Sequence, residues 1–140
     1  MALELGGFRN AVTSLTESLA KSDDREFMDG LDDVARSTIE AGVIKHFEFT
    51  YQLSWKFMTR WLETNVSPEV ADGVTRRELF RLAAEHQLIT DVDQWMKHHD
   101  ARNLPSYMYE SAIAKEVYVA AHGFAADARR LLAALEARND

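Results

Sequence analysis

The sequence contains no cysteine, which excludes disulfides, thiolate metal sites and a cysteine nucleophile together. That absence is compatible with a reducing cytoplasm. No stretch approaches the roughly 20 apolar residues that a membrane-spanning helix needs. The opening MALELGGFRN lacks the basic flank and apolar core of a secretory signal. A cytoplasmic protein without membrane attachment is therefore expected. No run alternates with period two, and no hairpin dipeptide separates β-branched runs. There is no phosphate-cradling glycine loop, nucleophile elbow or dinucleotide fingerprint, which sets aside enzymes of those classes. Internal repeats and low-complexity linkers are also missing.

Basic charge is in short supply. Sixteen Lys and Arg against 23 Asp and Glu give a net charge of −7, which argues against a strong sequence-independent grip on nucleic acid. The charge is uneven. Residues 1–40 hold four basic residues (Arg9, Lys21, Arg25, Arg36) against nine acidic ones, whereas residues 43–62 hold Lys45, Lys56 and Arg60 against Glu48 alone. An acidic first third beside a mildly basic region leaves RNA open as a ligand and makes bulk DNA coating a poor fit.

What is present is helical periodicity in a chain of 140 residues, the length of one domain spanning residues 1–140. Phe8, Val12, Leu15 and Leu19 recur at helical steps. Ser22-Asp23-Asp24 offers a cap for a second segment with Phe27, Leu31, Val34 and Ile39, weakened at Gly30. A third segment, IEAGVIKHFEFTYQLSWKFMTRWLETN, carries one stripe of Ile44, Phe47, Tyr51, Trp55, Met58 and Leu62. Phe49, Leu53, Phe57 and Trp61 lie away from it, so this helix is expected to be central and also covered by a partner. NVSPEVADGV reads as a loop. Thr75 and Glu78 then form a capping box before Leu79, Phe80, Leu82 and Ala83. Thr90 or Asp91 caps a short helix with Val92, Trp95 and Met96, Pro105 marks a break, and Ile113, Val117, Ala121, Phe124, Ala128, Leu131 and Leu135 line a long last helix. The pattern predicts an all-α, up-and-down bundle of four to five helices, dimeric through the surplus apolar surface of residues 44–62.

Candidate chemistry concentrates in HHDARNLPSYMY, residues 98–109. Neighbouring helical residues point about 100° apart, so His98 and His99 do not form an i, i+4 metal pair, and a solvated polar face is the preferred reading of His98-His99-Asp100. The acidic stretch 22–33 lacks the ligand alternation of a calcium loop and reads as a solvated face. No metal is expected. The aromatic run 47–61 could stack bases, but its helical spacing favours core. Arg102 stands open between capping the preceding helix's carbonyls and holding a phosphate through paired hydrogen bonds. A histidine five residues on could move a proton at a ribose hydroxyl. Here that residue is Tyr107, with an ordinary pKa near 10 against about 6.5 for histidine.

Two stretches resemble a known family, the HEPN-type nucleotidyltransferase substrate-binding proteins. FEFTYQLSWK (residues 47–56) is similar to the family's F-E-x-T-x-E-L-x-W-K helix, with Gln52 where glutamate is usual. DARNLPSYMYE (residues 100–110) is similar to its D-x-R-N-L-T-S-H-x-Y-[DE] segment. The resemblance covers roughly residues 8–125 and implies a dimeric helical bundle that partners a minimal nucleotidyltransferase and forms the toxin half of many two-gene toxin–antitoxin modules. Active members are metal-independent ribonucleases whose arginine steadies the scissile phosphate while a histidine handles the proton. By that resemblance Arg102 is the phosphate-binding arginine, Asn103 its polar neighbour, and Tyr107 a degenerate histidine position. Tyr109 stands at the tyrosine to which the partner enzyme adds AMP in several members. Loss of the acid–base group costs on the order of 10²–10⁴-fold in rate, so the leading expectation is a binding module. It has no resident cofactor, a nucleotide or RNA cleft around Arg102–Tyr109, and AMP as a modification of Tyr109. A weakened ribonuclease ranks second, and a helical interaction protein without a site third.

Overall fold

Six α-helices follow one another in the computed structural model, which describes residues 2–104 and 111–139. They are α1 (Gly6–Ser22), α2 (Arg25–Asp29), α3 (Asp33–Asn65), α4 (Arg76–Glu85), α5 (Val92–Arg102) and α6 (Ser111–Ala137). No strand occurs among the described residues. Among the described residues four helices start at side-chain caps. Asp24, Asp32, Thr75 and Asp91 each accept a hydrogen bond from the backbone N–H three residues on, satisfying donors that the first turn leaves without partners. The Thr75–Glu78 box forms in part: Thr75 Oγ1 accepts from the Glu78 N–H and donates to the Glu78 carboxylate.

The segment expected over 22–39 is corrected by these caps. It divides after Gly30, and residues 33–39 belong to α3 because Asp32 caps there and nothing interrupts the helix before Asn65. That division adds the five-residue α2 to the expected count.

The predicted faces of the outer helices are buried except at Ile113, which is half-buried at the start of α6. Phe8, Val12, Leu15 and Leu19 of α1 and Val117, Ala121, Phe124, Ala128, Leu131 and Leu135 of α6 are core residues. In α3 the buried face cuts across both expected stripes: Phe47, Tyr51, Met58 and Leu62 join Phe57 and Trp61, while Ile44 and Trp55 are half-buried and Phe49 is 56% exposed. The width arises because α3 packs between α1 and α6. Fully buried Thr50 and Ser54 lie on this face; Thr50 donates to the Ala11 carbonyl of α1 and Ser54 to the Thr50 carbonyl.

Contacts give the chain directions. Phe8 stacks on Phe57 and Arg9 pairs with Glu136, so α1 runs against both α3 and α6. α5 runs against α3, with Tyr51 beside His99 and Glu48 beside Arg102. α4 departs from strict up-and-down order: Arg76 lies over Trp55 and His86 against Trp61, so it advances in the same sense as α3. The loop over 66–75 carries the chain back to make that possible. At the chain ends, the Leu3 N–H donates to Asn139 Oδ1 at 2.6 Å and Asn139 Nδ2 donates to the Leu3 carbonyl at 2.9 Å.

Phe124 of α6 is a hub between α3 and α5. Its ring meets Phe47 and Tyr51 of α3 and Trp95 and His98 of α5 at centroid distances of 5.1 to 6.1 Å. Such edge-to-face contacts fix neighbouring rings beyond what area burial alone does. No helix among the described residues is long and apolar enough to cross a membrane.

Candidate functional site

Helix α5 supplies most of the chemistry. Trp95, His98 and Ala101 bury one face, and the helical turn places His99, Arg102 and Asn103 on an adjacent face toward α3. The expected solvated His98-His99-Asp100 face is corrected here. His98 is 2% exposed, Nε2 lies 2.6 Å from Asp127 Oδ2 of α6, and its ring meets Trp95 and Phe124 edge-on. Trp95, three residues earlier, puts His98 on the apolar face, and Asp127 satisfies the N–H buried there. Burial lowers the His98 pKa below the ordinary histidine value, outweighing Asp127 and Asp91, which favour the charged form.

His99 belongs to the cleft. Its Nδ1 is 2.8 Å from the Tyr51 hydroxyl and its Nε2 3.1 Å from Asn103 Nδ2. With the Asn103 amide so oriented, its N–H donates to Nε2. The neutral ring then carries its proton on Nδ1 and donates it to the Tyr51 oxygen. Burial, then Arg76, lowers the His99 pKa, against Asp100. Burial also raises the Tyr51 pKa, against Arg76 and Arg102, so the phenol stays protonated.

Of the two roles left open for Arg102, capping is not taken up among the described residues. The last carbonyls of α5 receive the backbone N–H groups of Asn103 and Leu104. Arg102 Nη1 instead lies 3.7 Å from Glu48 Oε2, at the edge of a cleft of about 200 Å³ between α3, α4 and α5. Tyr51, Gln52, Trp55, Arg76, His99 and Asn103 complete its lining. Arg76 enters from the first turn of α4, its Cζ 3.7 Å from the Trp55 ring centroid. This arrangement offers cationic N–H donors, a neutral imidazole and a phenol in one recess, a set suited to a phosphorylated ligand.

Arg102 and Asn103 are therefore brought together, while Pro105, Tyr107 and Tyr109 lie outside the described residues. Sequence reasoning missed Arg76, which sat inside a capping box, gave Glu48 no role in a site, and weighed Tyr51 only within the run of possible base-stacking aromatics. Both of the latter fall within FEFTYQLSWK, which was the available signal. The base-stacking reading finds limited room: Phe47, Tyr51, Phe57 and Trp61 are core residues, and Arg76 covers one face of Trp55. In the acidic stretch, Asp24 and Asp32 cap helices and Asp33 pairs with Arg36. No group of three or more His, Cys, Asp or Glu is placed to hold a metal ion among the described residues.

Comparison with known proteins adds to this geometry. The family described as nucleotidyltransferase substrate binding protein like matches residues 3–137. The probable ribonuclease HepT of Haemophilus influenzae is 30% identical over 138 residues, spanning 98% of this chain and 94% of that protein. A solved H. influenzae structure, described as revealing the fold of a substrate binding domain of a nucleotidyltransferase, matches with a TM-score of 0.90. It is 29% identical, over 95% of this chain and 99% of that one. A Thermus thermophilus structure shares the fold at a TM-score of 0.66 and 20% identity, over 89% and 98% of the two chains.

Proposed function

The chain belongs to the family of nucleotidyltransferase substrate-binding proteins, and on that premise we propose that it is the dimeric partner subunit of a minimal nucleotidyltransferase, presenting the cleft around Arg102 to a nucleotide or RNA. The observation that carries this reading is the direction of Arg102. It faces a recess shared with Arg76, His99 and Asn103 and leaves its own helix end to backbone donors. In an acidic chain, paired guanidinium groups in one recess make a local site for phosphate. Tyr109 is proposed as the acceptor of AMP: its oxygen attacks the α-phosphorus of ATP, pyrophosphate leaves, and the phenolic proton passes to solvent.

The test is direct. A fluorescein-labelled single-stranded oligoribonucleotide is titrated with wild-type protein and with Arg102→Gln, which should weaken binding about 10- to 100-fold, the worth of a charge-assisted hydrogen-bond pair. Incubation with a minimal nucleotidyltransferase and ATP should add the mass of one AMP, and Tyr109→Phe should abolish it. Wild-type protein that neither binds the oligonucleotide nor accepts AMP would sink the proposal.

A second reading, a metal-independent endoribonuclease weakened at Tyr107, draws support from His99, a neutral imidazole in the recess that Arg102 lines. Cleavage of a mixed RNA pool in EDTA separates the two. The partner reading expects cleavage only from Tyr107→His. Cleavage by wild type that is lost in Arg102→Ala puts the enzyme first.

A further inference from the structure

Arg76 is half-buried at the start of α4, and no carboxylate among the described residues pairs with it. Among the described residues its Nε is enclosed without a hydrogen-bond partner. Arg102, by contrast, has Glu48 nearby. The contact with Trp55 engages the guanidinium through the aromatic face and supplies no acceptor for its N–H groups. Burial works against the Arg76 charge, and the neutral Tyr51 phenol beside it brings no compensating negative charge. A cation that is half-buried, stacked on an indole and lining a cleft is set up to meet an anion.

We propose that Arg76 is a second phosphate-binding residue of the cleft, taking the phosphodiester that neighbours the one on Arg102 in a single-stranded RNA ligand. Two separate guanidiniums suit two successive phosphates better than one carboxylate, which a single arginine already satisfies in bidentate fashion. The inference rests on the nucleotide-binding reading above and adds to it a ligand class and a contact. It also assigns Trp55 a support role: the indole holds Arg76, and the covered face is not a platform for a base.

Salt dependence separates a phosphate contact from a structural one, because each neutralised phosphate of a single strand contributes about 0.7 to the slope of log K against log salt. The probe is the labelled oligoribonucleotide, titrated at several salt concentrations, with circular dichroism confirming that each variant is folded. Arg76→Gln should lower the slope by about 0.7 and weaken binding at low salt by at least about tenfold, whereas Arg76→Lys should keep the slope and lose part of the affinity. A folded Arg76→Gln with the wild-type slope overturns the inference while leaving the nucleotide reading intact. If that variant does not fold, Arg76→Lys with wild-type affinity overturns it. Wild-type protein that does not bind the probe removes both readings, and a slope change confined to Arg102→Gln removes this one alone.

Discussion

Single side chains decide how this protein responds to pH. Burial holds His98 and His99 below the ordinary histidine pKa, so below about pH 6.5 the unfolded chain binds more protons than the folded one. The stability these two rings contribute is complete above that pH and is lost as pH falls toward their folded values. Melting temperature should therefore drop between about pH 7.5 and pH 5.5, and His98→Asn should shrink the drop. Equal melting temperatures at the two pH values for wild type would count against buried neutral imidazoles. The same pair shows where residue-level legibility ends. That His98 and His99 diverge follows from helix geometry, and Trp95 three residues earlier marks His98 as the inward one. Its acceptor, Asp127, lies 29 residues downstream on another helix, where no local pattern points to it. Arg76 and Trp55, 21 positions apart in the sequence, were out of reach for the same reason.

Helices are the scale at which the sequence is most readable, because caps and apolar steps are local. The Thr75 cap, a cap at Thr90 or Asp91 (the structure selects Asp91), and most of the buried stripes of α1 and α6 follow from spacing. The junction near residue 32 did not, since Gly30 weakens a helix without saying on which side the next one begins. Two caps offer a controlled comparison. Asp32→Ala and Asp91→Ala should each destabilise by about 1 kcal/mol in chemical denaturation, the usual loss for an N-cap acceptor. α5 carries His99 and Arg102 and ends at Asn103, so Asp91→Ala should also weaken oligoribonucleotide binding while Asp32→Ala leaves it unchanged. Equal binding losses in the two variants would mean that α5 is not the element that sets the site.

For the molecule as a whole, the all-helical class was legible from the missing period-two pattern, whereas the parallel course of α3 and α4 depends on a loop whose path has no sequence signature. The wide apolar surface of α3 turns out to serve mostly this chain's own core, and Phe49 is the large aromatic left at the surface. If Phe49 lies in a dimer contact, light scattering at micromolar concentration should give twice the 15.9 kDa chain mass, and Phe49→Lys should halve it. A wild-type protein at the single-chain mass would leave α3 without a second subunit. The reciprocal bonds between Leu3 and Asn139 carry a different consequence: residues 3 and 139 lie side by side, within reach of a short link. A short glycine linker joining residues 3 and 139, with new ends opened in the loop over 66–75, should yield a circular permutant of unchanged helix content. In that reordered chain α4 and α5 would precede α3, so the cleft would form only if it depends on where the helices pack and not on the order in which they are made.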